Sequence, residues 1–228
     1  MTRTFLALSL SAAYLAAEKN EPAEAIKRVE ASTRVMEEIM ASPDKGIPKD
    51  LLDKAHCVVV VPGLKTGGFI VGAKYGKGVV ACRKDGGGWR GPATVRVEGG
   101  SVGFQIGAGE VDTVLLIMNA SGAEKLRRSE FKIGGEAAAM AGPVGRAAQA
   151  ETDAYMRAEI LGYSRSRGVF AGVAITGSTL REDLGDNAVI YGRRLSNLEI
   201  LEDARGTPPA PAKTLLATLD SYSRWEKK

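Results

Sequence analysis

The feature that most constrains this chain's fold is the way glycine punctuates its apolar segments. There are 28 glycines in 228 residues, roughly 12% against a usual share of about 7%. They follow no collagen-like period and are not gathered into one linker. They separate short β-branched runs, as expected of a sheet with tight turns and close backbone approaches. With 44% hydrophobic and 25% charged residues, the chain can bury a core of ordinary globular kind.

Periodicity sorts the segments. Over residues 21–41, Ile26, Val29, Met36 and Met40 recur at helical spacing and predict an amphipathic helix, ended by Pro43 and Gly46. Pro48 opens a short second helix through residues 49–55. From Cys57 the period changes to a continuous β-branched run closed by Pro62-Gly63, which predicts a buried strand. Residues 68–75 and 78–84 read as two further strands joined by a Gly76-Lys77 hairpin. Strands over 93–97, 101–106 and 111–118 follow, separated by Gly99-Gly100 and by Gly107 to Gly109. Asn119 caps a short helix running to Arg128. A second strand group is expected at 154–164, 169–176 and 188–191.

The fold class this predicts is α+β. It is a curved antiparallel sheet or partly closed β-barrel of short Gly-punctuated strands, capped by N- and C-terminal helices. Residues 1–17, with Arg3 ahead of an apolar run, read as a signal peptide, so the expected localisation is exported, periplasmic or cell envelope. Residues 21–206 form the main domain. Residues 207–228 are a Pro-rich linker, Thr207-Pro-Pro-Ala-Pro211, followed by a C-terminal helix. Cys57 and Cys82 lie in apolar strands. An exported chain could pair them, but they read first as small buried hydrophobes.

Catalytic chemistry is hard to assemble from these residues. The single histidine, His56, adjoins Cys57, and neighbouring strand residues point to opposite faces. No Gly-x-Ser-x-Gly elbow occurs, no zinc-ligand spacing is present, and Gly72 to Gly78 departs from a phosphate-loop pattern. Asp183, Asp186 and Asn187 read as a plain polar turn rather than a calcium loop. Asp112, in an otherwise apolar strand, needs a buried partner. No enzyme activity, metal or cofactor is therefore expected.

Charge points to a binding surface. Between Gly63 and Gly100 seven basic residues face only two acids, an excess larger than the whole chain's formal +4. The candidate anionic-lipid site is Lys65, Lys74, Lys77, Arg83, Lys84 and Arg90. Nucleic acid is not expected, because only Phe69, Tyr75 and Trp89 interleave with that charge.

An ordered set of segments carries a family resemblance. It includes Val59-Val60-Val61-Pro62, Gly67-Gly68-Phe69-Ile70-Val71-Gly72, Gly103-Phe104-Gln105-Ile106-Gly107 and Gly142-Pro143-Val144-Gly145-Arg146. It continues with Tyr163-Ser164-Arg165-Ser166-Arg167-Gly168-Val169-Phe170-Ala171-Gly172 and with Asn187 and Tyr191-Gly192. Together they resemble the SYLF domain family over about residues 25–195. The resemblance implies binding of phosphoinositides or other anionic lipids and, in eukaryotic members, links to actin. The start of this chain looks similar to exported bacterial members. The expected partners are thus an anionic lipid or membrane surface, with a protein partner as the alternative. The family implies no catalytic residue.

Overall fold

A computed structural model describes residues 23–42, 46–68, 71–102, 107–144, 158–166, 169–172, 176–202 and 205–223. The expected signal peptide lies outside them. The described residues begin with helix α1 (residues 23–40), followed by a short α2 (Lys49–Lys54). Four long strands follow: β1 (Cys57–Gly68), β2 (Val71–Arg83), β3 (Trp89–Val102) and β4 (Gly107–Ile117). Helix α3 (Ala120–Arg127) leads into short strands β5 (Glu130–Ile133) and β6 (Ala139–Ala141). Then come β7 (Ile160–Ser166), β8 (Val169–Gly172) and β9 (Ser178–Glu182), and helices α4 (Leu184–Tyr191), α5 (Asn197–Leu201) and α6 (Ala210–Tyr222).

The nine strands among the described residues form one sheet in the order β5-β9-β3-β2-β1-β4-β7-β6, with β8 paired to β7. All pairings are antiparallel except β6 with β7. The ends β5 and β6 do not pair with each other, so the sheet is a curled half-barrel rather than a closed one.

Both faces of this sheet are covered, which explains the unbroken apolar run in β1. Val58 and Val60 pack with Val29, Met36, Ile39, Leu52, Leu215 and their neighbours from α1, α2 and α6. Cys57, Val59 and Val61 face the opposite way, against a core that includes Ala123 and Leu126 of α3 and Ile200 and Leu201 of α5. Alternation at period two sends successive residues of one strand into two separate cores.

Several local expectations are corrected. The Gly76-Lys77 hairpin is absent, and β2 runs straight through it. A β-carbon on Gly76 would lie 2.9 Å from side-chain atoms of Val61 and Leu64, and one on Gly78 would collide with the carbonyl of Val60. These glycines therefore let β1 fold closely over β2 instead of turning the chain. Gly99-Gly100 likewise sits inside β3, where Gly99 leaves room for the backbone of Ser178 on β9. Gly107 to Gly109 belongs to β4. The strand expected at 188–191 is helix α4. Asp183 caps its start by accepting from the Asp186 N–H, and Gly192, at φ +69°, ends it in the left-handed conformation that favours glycine. The second strand group begins at Ile160, and residues 151–157 fall outside the described part.

Cys57 and Cys82 are both buried as expected, but they are joined in a disulfide. The register of β1 against β2 sets them directly opposite each other.

Candidate functional site

The six basic residues of the candidate lipid site are not brought onto one surface. Lys65 lies opposite Tyr75, on the side of the sheet that also carries Lys77, Val79 and Arg83. Lys74 points to the other side, as does Arg90, whose cross-strand partner is Cys82. Lys74 and Lys84 stand at opposite ends of β2, about 30 Å apart at roughly 3.3 Å per residue.

Three of the six are committed to structure. The Lys77 ammonium reaches Asp183 at 2.8 Å and Asp186 at 3.2 Å, and Arg28 of α1 pairs with the other oxygen of Asp186. Burial alone would lower the Lys77 pKa, but hydrogen bonds and charge from the two aspartates outweigh it and raise the value. Asp183 shows the reciprocal balance, with burial opposed and overcome by Lys77, and its carboxyl lies below its ordinary range. The Arg83 guanidinium stacks 3.8 Å above the ring of Trp89 and donates to the carbonyls of Leu52, Ala55 and Ser223. It thereby ties the C-terminal ends of α2 and α6 to the sheet. Burial pushes it down to about 10, which still leaves it charged at neutral pH. Arg90 donates to the carbonyls of Leu201 and Glu202 at the end of α5.

The other three are more open. Lys65 is exposed and 3.7 Å from an equally exposed Glu110, a contact worth little in water. Lys74 and Lys84 have no ion-pair partner among the described residues. Tyr75, with 48% exposure, is one of three large exposed apolar side chains among the described residues; it follows Lys74 in β2 and stands directly opposite Lys65.

The acids singled out from sequence are structural as well. Asp112 accepts from the Gly63 N–H at 3.0 Å and from Arg165 Nε at 2.9 Å. Arg165 also pairs with Glu38, so it links α1 to β4 and β7. Asn187 is fully buried, and its side chain joins α4 to Thr94 of β3 and to Asn197 of α5. No cluster of metal-ligating side chains occurs among the described residues.

What remains at the Arg83 end of β2 is a polar cavity of about 120 Å³ lined by His56, Arg83, Lys84, Asp85 and Arg127. Burial first, then the charge of Arg127, holds the His56 imidazole below its ordinary pKa. A neighbouring cleft of about 210 Å³ is lined by Lys84, Trp89, Arg90, Tyr191 and Arg205, among others. Only Arg83, Lys84 and Arg90 here were in the candidate set. Arg127 and Arg205 were missed because they lie far along the chain, and no sequence signal connects them to β2.

Comparison with known proteins adds a separate observation. Residues 98–222 match a family model described as Ysc84, Las17-binding protein actin regulator. The chain is similar to the human SH3 domain-containing YSC84-like protein 1, with 33% identity over 184 residues, 79% of this chain and 53% of that protein. The Xenopus laevis protein of the same name is 33% identical over 185 residues, 79% of this chain and 54% of the relative. LAS seventeen-binding protein 3 of Saccharomyces cerevisiae is 33% identical over 183 residues, 78% of this chain and 39% of the relative. The chain thus spans about half the length, or less, of the curated relatives it matches.

Proposed function

This chain belongs to the Ysc84 (SYLF-domain) family, and from that premise we propose that it is a non-enzymatic binding domain whose partner is a protein of the actin-regulating kind. The observation that carries the reading is the family match over residues 98–222, together with relatives named for binding Las17. The structure supports it in a specific way. The acids inside the fold that the sequence singles out are held by basic side chains: Asp112 by Arg165, and Asp183 and Asp186 by Lys77 and Arg28. The test is co-sedimentation of the purified chain with actin filaments, and capture on immobilised Las17, each without lipid. Saturable binding in either assay supports the reading. No binding in both, by a chain shown to be folded, refutes it.

A second reading, binding to an anionic lipid surface, is favoured by one feature. At the β1–β2 end of the sheet an exposed Tyr75 sits beside Lys74 and across from Lys65. An amphipathic ring with Lys65 on its own face suits a headgroup boundary, where each basic residue contributes about 1 kcal/mol. Vesicles of neutral and of anionic lipid separate the outcomes: equal sedimentation with both, or with neither, removes this reading. We also propose an oxidising compartment such as the cell envelope. The buried Cys57–Cys82 bond supports it, because such bonds persist where thiols are not kept reduced.

A further inference from the structure

We propose that the cavity formed by His56, Arg83, Lys84, Asp85 and Arg127 is a binding site for one phosphate-type oxyanion. This site is independent of the actin-type partner proposed above. Its volume of about 120 Å³ is several times the roughly 30 Å³ share of a single water. It is thus small, suited to a compact anion rather than to an acyl chain or a peptide.

The walls come from three parts of the fold. His56 stands just before β1, Arg83 ends β2 with Lys84 and Asp85 in the turn that follows, and Arg127 closes the last turn of α3. Three of these side chains are permanent cations at neutral pH, and Asp85 is the only acid in the lining. Three further acids, Glu202, Asp53 and Asp220, stand around the rim. Glu202 approaches Arg127 only at 3.6 Å and is itself half exposed. Asp53 and Asp220 act on Arg83 through charge, from outside the lining. Lys84 has no ion pair among the described residues, and Arg127 Nε is a buried donor without a hydrogen-bond acceptor.

A buried guanidinium donor left unmatched costs free energy, and an oxyanion is the acceptor that best fits a planar fork of donors. Arg83 has a different part here. Its guanidinium holds α2 and α6, so it supplies field and a fixed wall, and the movable ligands are Lys84 and Arg127. His56 is held below its ordinary pKa by burial first and by the charge of Arg127 second, so part of its depression comes from the cations of the site. A bound dianion reverses that sign.

His56 is the only histidine in the chain, so its imidazole gives one unambiguous NMR signal within the site. The full chain is titrated with inorganic phosphate at pH 7 and constant ionic strength, with chloride as the control. Saturable, one-to-one movement of the His56 resonances with phosphate alone supports the site, as does an upward shift of the His56 titration in its presence. Arg127→Gln and, separately, Lys84→Gln should each weaken phosphate binding at least tenfold while leaving the urea midpoint within error. Vesicles carrying phosphatidic acid form a second arm. Movement of His56 with those vesicles but not with free phosphate would overturn the free-anion site in favour of a lipid headgroup. Equal responses to phosphate and chloride, or unchanged affinity in both variants, would overturn it outright. Failure here leaves the protein-partner reading untouched, because that reading is tested without phosphate.

Discussion

Replacing Asn187 by alanine tests whether α4 is fastened to the sheet by one buried amide. In the native fold Asn187 Oδ1 accepts from the Thr94 N–H and from Thr94 Oγ1, both at 2.7 Å. Its Nδ2 donates to the Leu195 carbonyl at 3.0 Å and to Asn197 Oδ1 at 2.9 Å. The Thr94 hydroxyl has a single proton, which the Asp183 carbonyl at 2.7 Å can accept in place of Asn187 Oδ1. Three groups therefore lose their partner on truncation: the Thr94 N–H, the Leu195 carbonyl and the Asn197 side-chain oxygen Oδ1. Each orphaned buried group costs about 1–3 kcal/mol, and water entering the space left behind recovers part of this. The expected loss is about 4 kcal/mol, against a total stability of roughly 5–15 kcal/mol for a domain. Urea unfolding followed by circular dichroism measures it, provided the slope is unchanged so that the midpoint reports stability. Thr94→Val removes only the hydroxyl and should cost about 1–2 kcal/mol. The double variant should then cost clearly less than the two losses added, because both act on one network. A loss below about 1 kcal/mol for Asn187→Ala, or strict additivity, would refute the claim that this amide is the joint.

Three other perturbations follow from the same structure. Gly78→Ala forces a β-carbon against the Val60 carbonyl and should destabilise by about 2–3 kcal/mol or more; a thermal midpoint equal to the parent's would show that β1 and β2 can move apart freely. Reducing the Cys57–Cys82 bond, which spans a sequence separation of 25, should cost about 3.5 kcal/mol by loop entropy, read as a lower urea midpoint in reductant and as no change in Cys57→Ala/Cys82→Ala. Lys77→Met strips Asp183 of its cation and Asp186 of one of two, and should cost roughly 2–3 kcal/mol near neutral pH. Because the folded Asp183 pKa is depressed, its contribution is present above the unfolded value of about 3.9 and is lost as pH falls through the lower folded one. The gap between parent and Lys77→Met should therefore close in acid; a gap that is constant down to pH 2 contradicts the ion-pair account.

Much of the scaffold was legible because it is local. The Ile26, Val29, Met36 and Met40 spacing gave α1, Asn119 announced α3 as its cap, and the β-branched run from Cys57 gave β1. What failed was decided at a distance. Gly76-Lys77-Gly78 has the local chemistry of a turn, and only the approach of Val60, Val61 and Leu64 reveals why glycine is needed in mid-strand. Residues 188–191 are β-branched and aromatic enough to read as a strand, although Asp183 and Gly192 already bracketed a helix. The disulfide was hidden for the same reason as the site: a sequence separation says nothing about register, and register alone sets Cys57 against Cys82. The basic stretch was clustered in sequence, yet alternation along β2 and β3 dealt its members to opposite faces, and only Arg83, Lys84 and Arg90 share an end of the sheet with Arg127 and Arg205.

A sheet covered on both faces restricts where binding can occur. Residues such as Val58 and Val59 are consumed by two cores, so neither broad face of the central strands is open to a partner. The positive side chains that cross those cores, Lys77 and Arg83, are spent on holding helices to strands. Unspent charge is left at the two ends of β2: Lys74 beside Tyr75 at one, Lys84 beside the His56 cavity at the other. These ends are too far apart to serve a single small ligand. They can act together only on an extended surface, such as a filament or a membrane, or separately on two different ligands. Charge reversal at one end alone distinguishes these cases. Lys74→Glu should abolish binding to an extended surface that needs both ends, and should leave phosphate at the His56 cavity unaffected. If Lys74→Glu weakens both alike, the two ends are not independent and the division of labour along β2 is wrong.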